Sequence, residues 1–251
     1  MKTVFVTGAA SGIGQAIGTA LAEEGHRVIL SDVNKDGVDT LVEALKQKGC
    51  KVEAFEMDVS QQSAIDLAGQ HFPHVDVLIN NAGIQYVAKL ESFPAERWRL
   101  INDILLVGPA MLTRTFIAGM KHRNFGRIIN IGSIHAMVAS PYKSAYVAAK
   151  HGLLGFSKVT ALETAEFDIT INTICPSYVK TPLVEKQISQ QAQEHNISEA
   201  EVVNNIMLSP MPKKAFIEME ELVGSVQYLM SPAARNMTGQ TMVLDGGWTA
   251  R

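Results

Sequence analysis

Seven short apolar runs separated by segments of helical period predict an α/β fold, a doubly wound parallel sheet with helices on both faces. The runs fall at residues 4–6, 27–31, 52–57, 75–79, 127–131, 169–174 and 241–244. Most are continuous in Val, Ile and Leu rather than alternating, as strands covered on both faces should be. The second observation is a glycine-rich turn between the first run and the helically spaced Ile13, Ile17 and Leu21. The third is the lack of a linker, repeat or low-complexity segment, so residues 1–251 read as one domain.

The elements follow in order. The first strand feeds Thr7-Gly8-Ala9-Ala10-Ser11-Gly12-Ile13-Gly14, a Gly-x-x-x-Gly-x-Gly turn that opens a helix. Glycines let backbone approach a phosphate, and the free N–H groups of a helix start attract it, so Gly8, Ser11, Gly12, Ile13 and Gly14 should cradle the pyrophosphate of a dinucleotide in a Rossmann-like fold. The first two helices end at Gly25 and Gly49, the expected C-terminal positions. Asp32 closes the second strand 24 residues after Gly8, where a carboxylate can accept both hydroxyls of an adenosine ribose. Ala10, Ser11 and Val33 offer no cation for a 2′-phosphate, so the cofactor expected is NAD. Asp58 and Val59 end the third strand and Asn80-Asn81-Ala82-Gly83 the fourth, on the carboxyl edge where such sheets bind ligands. Turn chemistry alone is the alternative for the asparagines.

Ser133 ends the fifth strand, and Tyr146 and Lys150 stand four apart on a helix, hence on one face. A tyrosine of ordinary pKa about 10 becomes a base near neutrality only if about 4 kcal/mol of preferential phenolate stabilisation is supplied, part of it by an ammonium. Residues 177–214 break the strand and helix rhythm with mostly polar sequence edged by Pro182, Pro210 and Pro212, and read as a helical lid over the substrate.

Composition narrows the function classes. A 47% hydrophobic content supports a sizeable core, and a net charge of −3 with pI near 6.2 leaves no basic stripe for nucleic acid. No targeting segment and no apolar run of membrane-spanning length are evident, so a cytoplasmic protein without a membrane partner is expected. Cys50 and Cys175 show no metal-ligand spacing, so no metal site is expected.

In order and spacing, Thr7 to Gly14, Asn80 to Gly83, Ser133, Tyr146 to Lys150 and Pro176 to Thr181 resemble the short-chain dehydrogenase/reductase family over essentially the whole chain. The resemblance implies hydride transfer between a secondary alcohol and a nicotinamide. Tyr146 would be the acid/base, Ser133 would bond the reacting oxygen, and Lys150 would hold the ribose and lower the tyrosine pKa. Val179 and Thr181 would anchor the carboxamide, and a homotetramer is implied. Stretches 83–85, 127–131, 138–140, 143–152, 181–187 and 245–250 are similar to the bacterial D-3-hydroxybutyrate dehydrogenases within that family. There the carboxylate of the small 3-hydroxy acid would be held by Gln85, His135, Lys143 and Gln187, with Tyr178 packing over it. Turn, loop-packing and solvated-face roles stay open for Gln85, His135 and Gln187. Another 3-hydroxy acid, a 3-oxoacyl substrate, or a non-catalytic NAD-sensing protein are the alternatives. Lys143 argues against a thioester, which has no carboxylate to pair with it.

Three positions depart from the pattern. Leu105 stands where the family usually has an asparagine that helps hold a water in the proton path, with Asn102 close to one turn away. Tyr178 replaces the usual tryptophan of the narrower group, and Ser209-Pro210-Met211-Pro212 differs from its usual lid ending.

Overall fold

The structure is a computed structural model that describes residues 1–250, with every side chain except those at 183, 194 and 195. Each of the seven apolar runs forms a strand: β1 (Thr3–Thr7), β2 (Arg27–Asp32), β3 (Lys51–Glu56), β4 (Val77–Asn80), β5 (Gly126–Ile131), β6 (Ile169–Pro176) and β7 (Thr241–Leu244). They make one sheet in the order β3-β2-β1-β4-β5-β6-β7, with every pairing parallel. The order reverses between β1 and β4. A crevice must open there at the carboxyl ends of the strands, because the connections leave toward opposite faces.

The period of two along β1 divides the core. Val4 and Val6 join an apolar layer that includes Ile17 and Leu21 of α1 (Gly12–Glu23), residues of α2 (Lys35–Gln47), and Leu222 and Val226 of α9 (Met219–Met230). Phe5 faces the other layer, with Ile65 of α3 (Gln62–His71) and Leu112 and Phe116 of α5 (Gly108–His122). Both sides of the sheet are covered, which is why its strands tolerate continuous Val and Ile.

Helix α4 (Ala95–Asn102) runs through a π-helical turn, Asp103–Val107, directly into α5. The resulting 28-residue helix has a length and apolar composition that would also suit a membrane-spanning segment. Here it packs as a core helix: Ile101, Leu105, Leu112, Phe116 and Met120 are buried. Beyond it lies α6 (Ser144–Glu163). Between β6 and α9, the 177–214 stretch carries α7 (Pro182–His195), the short α8 (Glu199–Glu201) and a second π-helical turn, Val202–Met207. Thr181 caps α7 by accepting the Val184 amide at 3.3 Å. Ser198 and Glu201 form a capping box on α8.

Candidate active site

A cleft with about 380 Å³ of free volume opens at the carboxyl ends of β1 and β4. Its floor is the glycine turn. A Cβ on Gly8 would lie 2.7 Å from Ala82 Cα, and one on Gly14 would lie 2.2 Å from the Gly8 carbonyl oxygen. Both positions are therefore closed to any side chain by the packing of the turn on the Asn81 loop. Gly14 does its packing beneath the turn and does not line the cleft. Gly12, at φ +56°, faces the opening with nothing nearer to its missing Cβ than 3.6 Å. Ser11 stands at the N-cap of α1 with its hydroxyl unused as a cap, so the helix start and one hydroxyl are free for an anion.

The other strand ends complete the wall. Asp32 accepts the Ala10 amide on Oδ2 and the Asn34 amide on Oδ1, each at 2.9 Å, so two backbone bonds pin its carboxylate at the lip. Asp58 is turned by the Ser60 amide and hydroxyl, at 2.9 and 2.7 Å. The Asn81 side chain donates to the carbonyls of Thr7 and Gly8, at 2.9 and 3.0 Å, tying the end of β4 to the turn. Val59, Gly83, Ile13, Val179 and Thr181 also line the cleft, as do Ser133, Tyr146 and Lys150. A hole at a helix start, glycine where a Cβ would intrude and a pinned carboxylate at the far lip fit a dinucleotide.

Ser133 caps a 3-10 turn (Ile134–Ala136) and accepts the His135 amide at 3.1 Å. It is also a hydrogen-bond partner of the Tyr146 hydroxyl. Lys150 is buried and donates to the Ile131 carbonyl at 2.7 Å. Its Nζ lies 5.7 Å from the centre of the Tyr146 ring. Burial pulls the Lys150 pKa down to about 8. Burial also raises the Tyr146 pKa, against the lowering effect of the Ser133 bond. Desolvation of the phenolate thus works against the expected depression of the Tyr146 pKa, and the Ser133 bond works for it.

Beyond Tyr146 a second group of side chains begins, none of them among the residues that line the cleft. His135 meets Tyr146 edge to face at 6.1 Å and Trp248 at 6.0 Å, and Tyr178 stacks on Trp248 at 6.1 Å. Lys143 is 9% exposed, its Nζ 5.8 Å from the Tyr178 ring centre, and among the described residues it has neither an anionic partner nor a hydrogen bond. Burial lowers its pKa. Burial first, then Lys143 and His151, brings the His135 pKa to about 4, so this imidazole is neutral. The loop bearing Gln85 reaches the same place, since the Ala88 amide donates to the Tyr142 carbonyl at 3.0 Å. The Gln85 Oε1 is buried without a partner. Gln187 lies on α7, and no described contact joins it to this group.

Leu105 sits on the π-helical turn, buried with Ile101, Ala145 and Ala149 and packed by Tyr146. The bulge is present and its side chain is apolar. Sequence reasoning missed Trp248, although it ends the stretch Asp245-Gly246-Gly247-Trp248, whose turn Asp245 holds by accepting the amides of Gly247 and Thr249 at 2.8 and 2.7 Å. Cys175, which shows no metal-ligand spacing in the sequence, is buried beside Ser133. Its thiol takes a bond from the Ser133 amide, and burial raises its pKa.

A doubly wound sheet with a glycine turn at its switch point is the architecture in which open α/β sheets bind nucleotides. A family model described as short chain dehydrogenase matches residues 2–192, and the chain belongs to that family. Two relatives are named D-beta-hydroxybutyrate dehydrogenase. The one from Rhizobium meliloti is 43% identical across 100% of this chain and 99% of its own length. The one from Cupriavidus necator is 42% identical across 100% and 98%. A solved actinorhodin polyketide ketoreductase with NADPH superposes with a TM-score of 0.93 at 29% identity, across 100% of this chain and 98% of that one.

Proposed function

We propose that the protein oxidises D-3-hydroxybutyrate to acetoacetate, reversibly, with NAD as cofactor. The observation that carries this reading is Lys143, a buried cation with no counter-ion near the neutral His135, which itself packs on Tyr146; the buried, unpaired Gln85 Oε1 suits the same reading. An unpaired buried ammonium costs several kcal/mol, and a small carboxylate bound there offsets that cost. The names of the full-length relatives support the same substrate. A 3-oxoacyl thioester brings no such charge.

When bound, NAD supplies the hydride acceptor at C4 of its nicotinamide. Gly8, Ser11, Gly12 and Ile13 hold the pyrophosphate, and Asp32 holds the adenosine ribose. Asp58, Val59, Asn81 and Gly83 flank the adenine and ribose path, and Val179 and Thr181 hold the carboxamide. Tyr146 takes the alcohol proton, Ser133 bonds the same oxygen, and Lys150 holds the nicotinamide ribose. Lowering the Tyr146 pKa from its raised value falls to Lys150 together with the cationic ring. Gln85 and Lys143 bind the carboxylate under Tyr178 with His135 packed beside Tyr146, and Gln187 joins them when the 177–214 lid folds down to exclude water. The reading includes a homotetramer working in the cytoplasm, tested by sedimentation and fractionation. The deciding experiment is NADH formation with D- and L-3-hydroxybutyrate, longer 3-hydroxy acids and neutral secondary alcohols. Turnover of the D acid above all others is expected, and turnover of neutral alcohols alone would sink the carboxylate pocket.

A further inference from the structure

A line of hydrogen bonds leads away from the reacting tyrosine, and its far end has no part in the reading above. His135 Nε2 lies 2.8 Å from Ser140 Oγ, and His135 Nδ1 lies 3.5 Å from Ser133 Oγ. Ser133 Oγ already accepts the His135 backbone amide and meets the Tyr146 hydroxyl. A neutral imidazole carries one N–H, so the two tautomers act oppositely on Ser133. With the proton on Nε2, the bare Nδ1 is an acceptor and draws the Ser133 hydroxyl hydrogen toward itself. With the proton on Nδ1, two N–H groups face the Ser133 oxygen, and its single O–H is left for Tyr146.

We propose that Ser140 is a positioning residue: its hydroxyl donates to His135 Nε2, keeps the ring protonated on Nδ1, and thereby holds Ser133 as a donor to the Tyr146 oxygen. The partly exposed Ser140 precedes Lys143 on the loop into α6, so one short segment carries both the tautomer-setting hydroxyl and the carboxylate-binding cation. The kinetic arm of the inference rests on the proposed oxidation of 3-hydroxybutyrate, whereas the ring's protonation is read without any substrate.

The test begins with nitrogen-15 NMR of the His135 ring in the wild-type protein. A protonated Nδ1 and a bare Nε2 are expected, and a protonated Nε2 overturns the proposal. In Ser140→Ala, kcat for D-3-hydroxybutyrate should fall about ten-fold, the worth of one hydrogen bond. The rise of kcat with pH should also move to higher pH, because the phenolate loses a donor. The charged and titratable groups around His135 are Lys143, Tyr146 and His151, with Tyr178 across Trp248, and the variant leaves all of them in place. Ser140→Thr keeps the hydroxyl and should restore both the rate and the profile. A fall in kcat with an unmoved pH profile, or no rescue by threonine, marks a merely structural serine and overturns the proposal. If wild-type protein does not turn over the hydroxy acid at all, the functional reading fails while the NMR still decides the tautomer.

Discussion

Asp32 offers the sharpest test of cofactor choice, because its carboxylate has little freedom to move. Both oxygens are held by backbone amides at 2.9 Å, so it cannot swing aside for a 2′-phosphate. Glu56 is its register partner on β3, and the nearby Lys35 is paired with Asp39. Two unit charges about 4 Å apart interact by about 4 kcal/mol at an effective dielectric of 20. The site is only partly buried and salt screens it, which leaves about 2–3 kcal/mol, or about 30- to 150-fold against the phosphorylated cofactor. Asp32→Asn removes the charge, and its single carbonyl oxygen satisfies only one of the two amides. We expect kcat/KM with NADP to rise about 10- to 100-fold and kcat/KM with NAD to fall about ten-fold, the worth of a charge-assisted bond to the ribose. Initial rates with both cofactors at saturating hydroxy acid measure the ratio, and thermal melting checks the fold. A ratio that shifts less than about five-fold in a folded variant would refute the electrostatic argument. That the solved ketoreductase of the same fold holds NADPH makes this a real alternative.

The remaining predictions concern the inner site. Tyr146→Phe should reduce NADH formation at least about 10²- to 10⁴-fold while leaving NAD binding, followed by fluorescence titration, nearly intact. Lys143→Met should raise KM for the hydroxy acid about 100-fold and increase stability in urea, since it removes a buried cation that has no counter-ion. Leu105→Asn should speed turnover at neutral pH by restoring a polar group on the proton side. It should also cost about 2–4 kcal/mol of stability, because a carboxamide enters a shell of Ile101, Ala145 and Ala149; an unchanged rate and pH profile would end the relay argument. Lys150 has a folded pKa of about 8 against an ordinary 10.5, so the unfolded chain binds more protons between those values and stability rises with pH through that window. Relative to Lys150→Met, the cofactor-free wild type should therefore gain about 3 kcal/mol between pH 7 and pH 11, read from urea melts, and a flat difference would contradict the burial of the ammonium.

What the sequence made legible follows the range of the interactions involved. The strands could be read because each is a local apolar run, and the cradle because Gly8, Gly12 and Gly14 answer to contacts within one turn and the loop beside it. Ser133, Tyr146 and Lys150 could be read because a strand end and an i, i+4 pair are short-range geometry. What the 28-residue helix through Leu105 packs against could not be read, for the opposite reason. Its apolar residues serve tertiary packing, and composition alone does not distinguish a core helix from a spanning one. Trp248 and Ser140 escaped for a related reason: each acts on His135 through side chains that meet only after folding, Trp248 from the far end of the chain. The raised Tyr146 pKa belongs to the same class, since a sequence displays the neighbouring lysine but not the depth of burial that opposes it. The two π-helical turns sharpen the point. At one of them Leu105 packs with Ile101, Ala145 and Ala149 where the family usually has asparagine, a contact of the α4 to α5 helix with α6 that no local pattern displays.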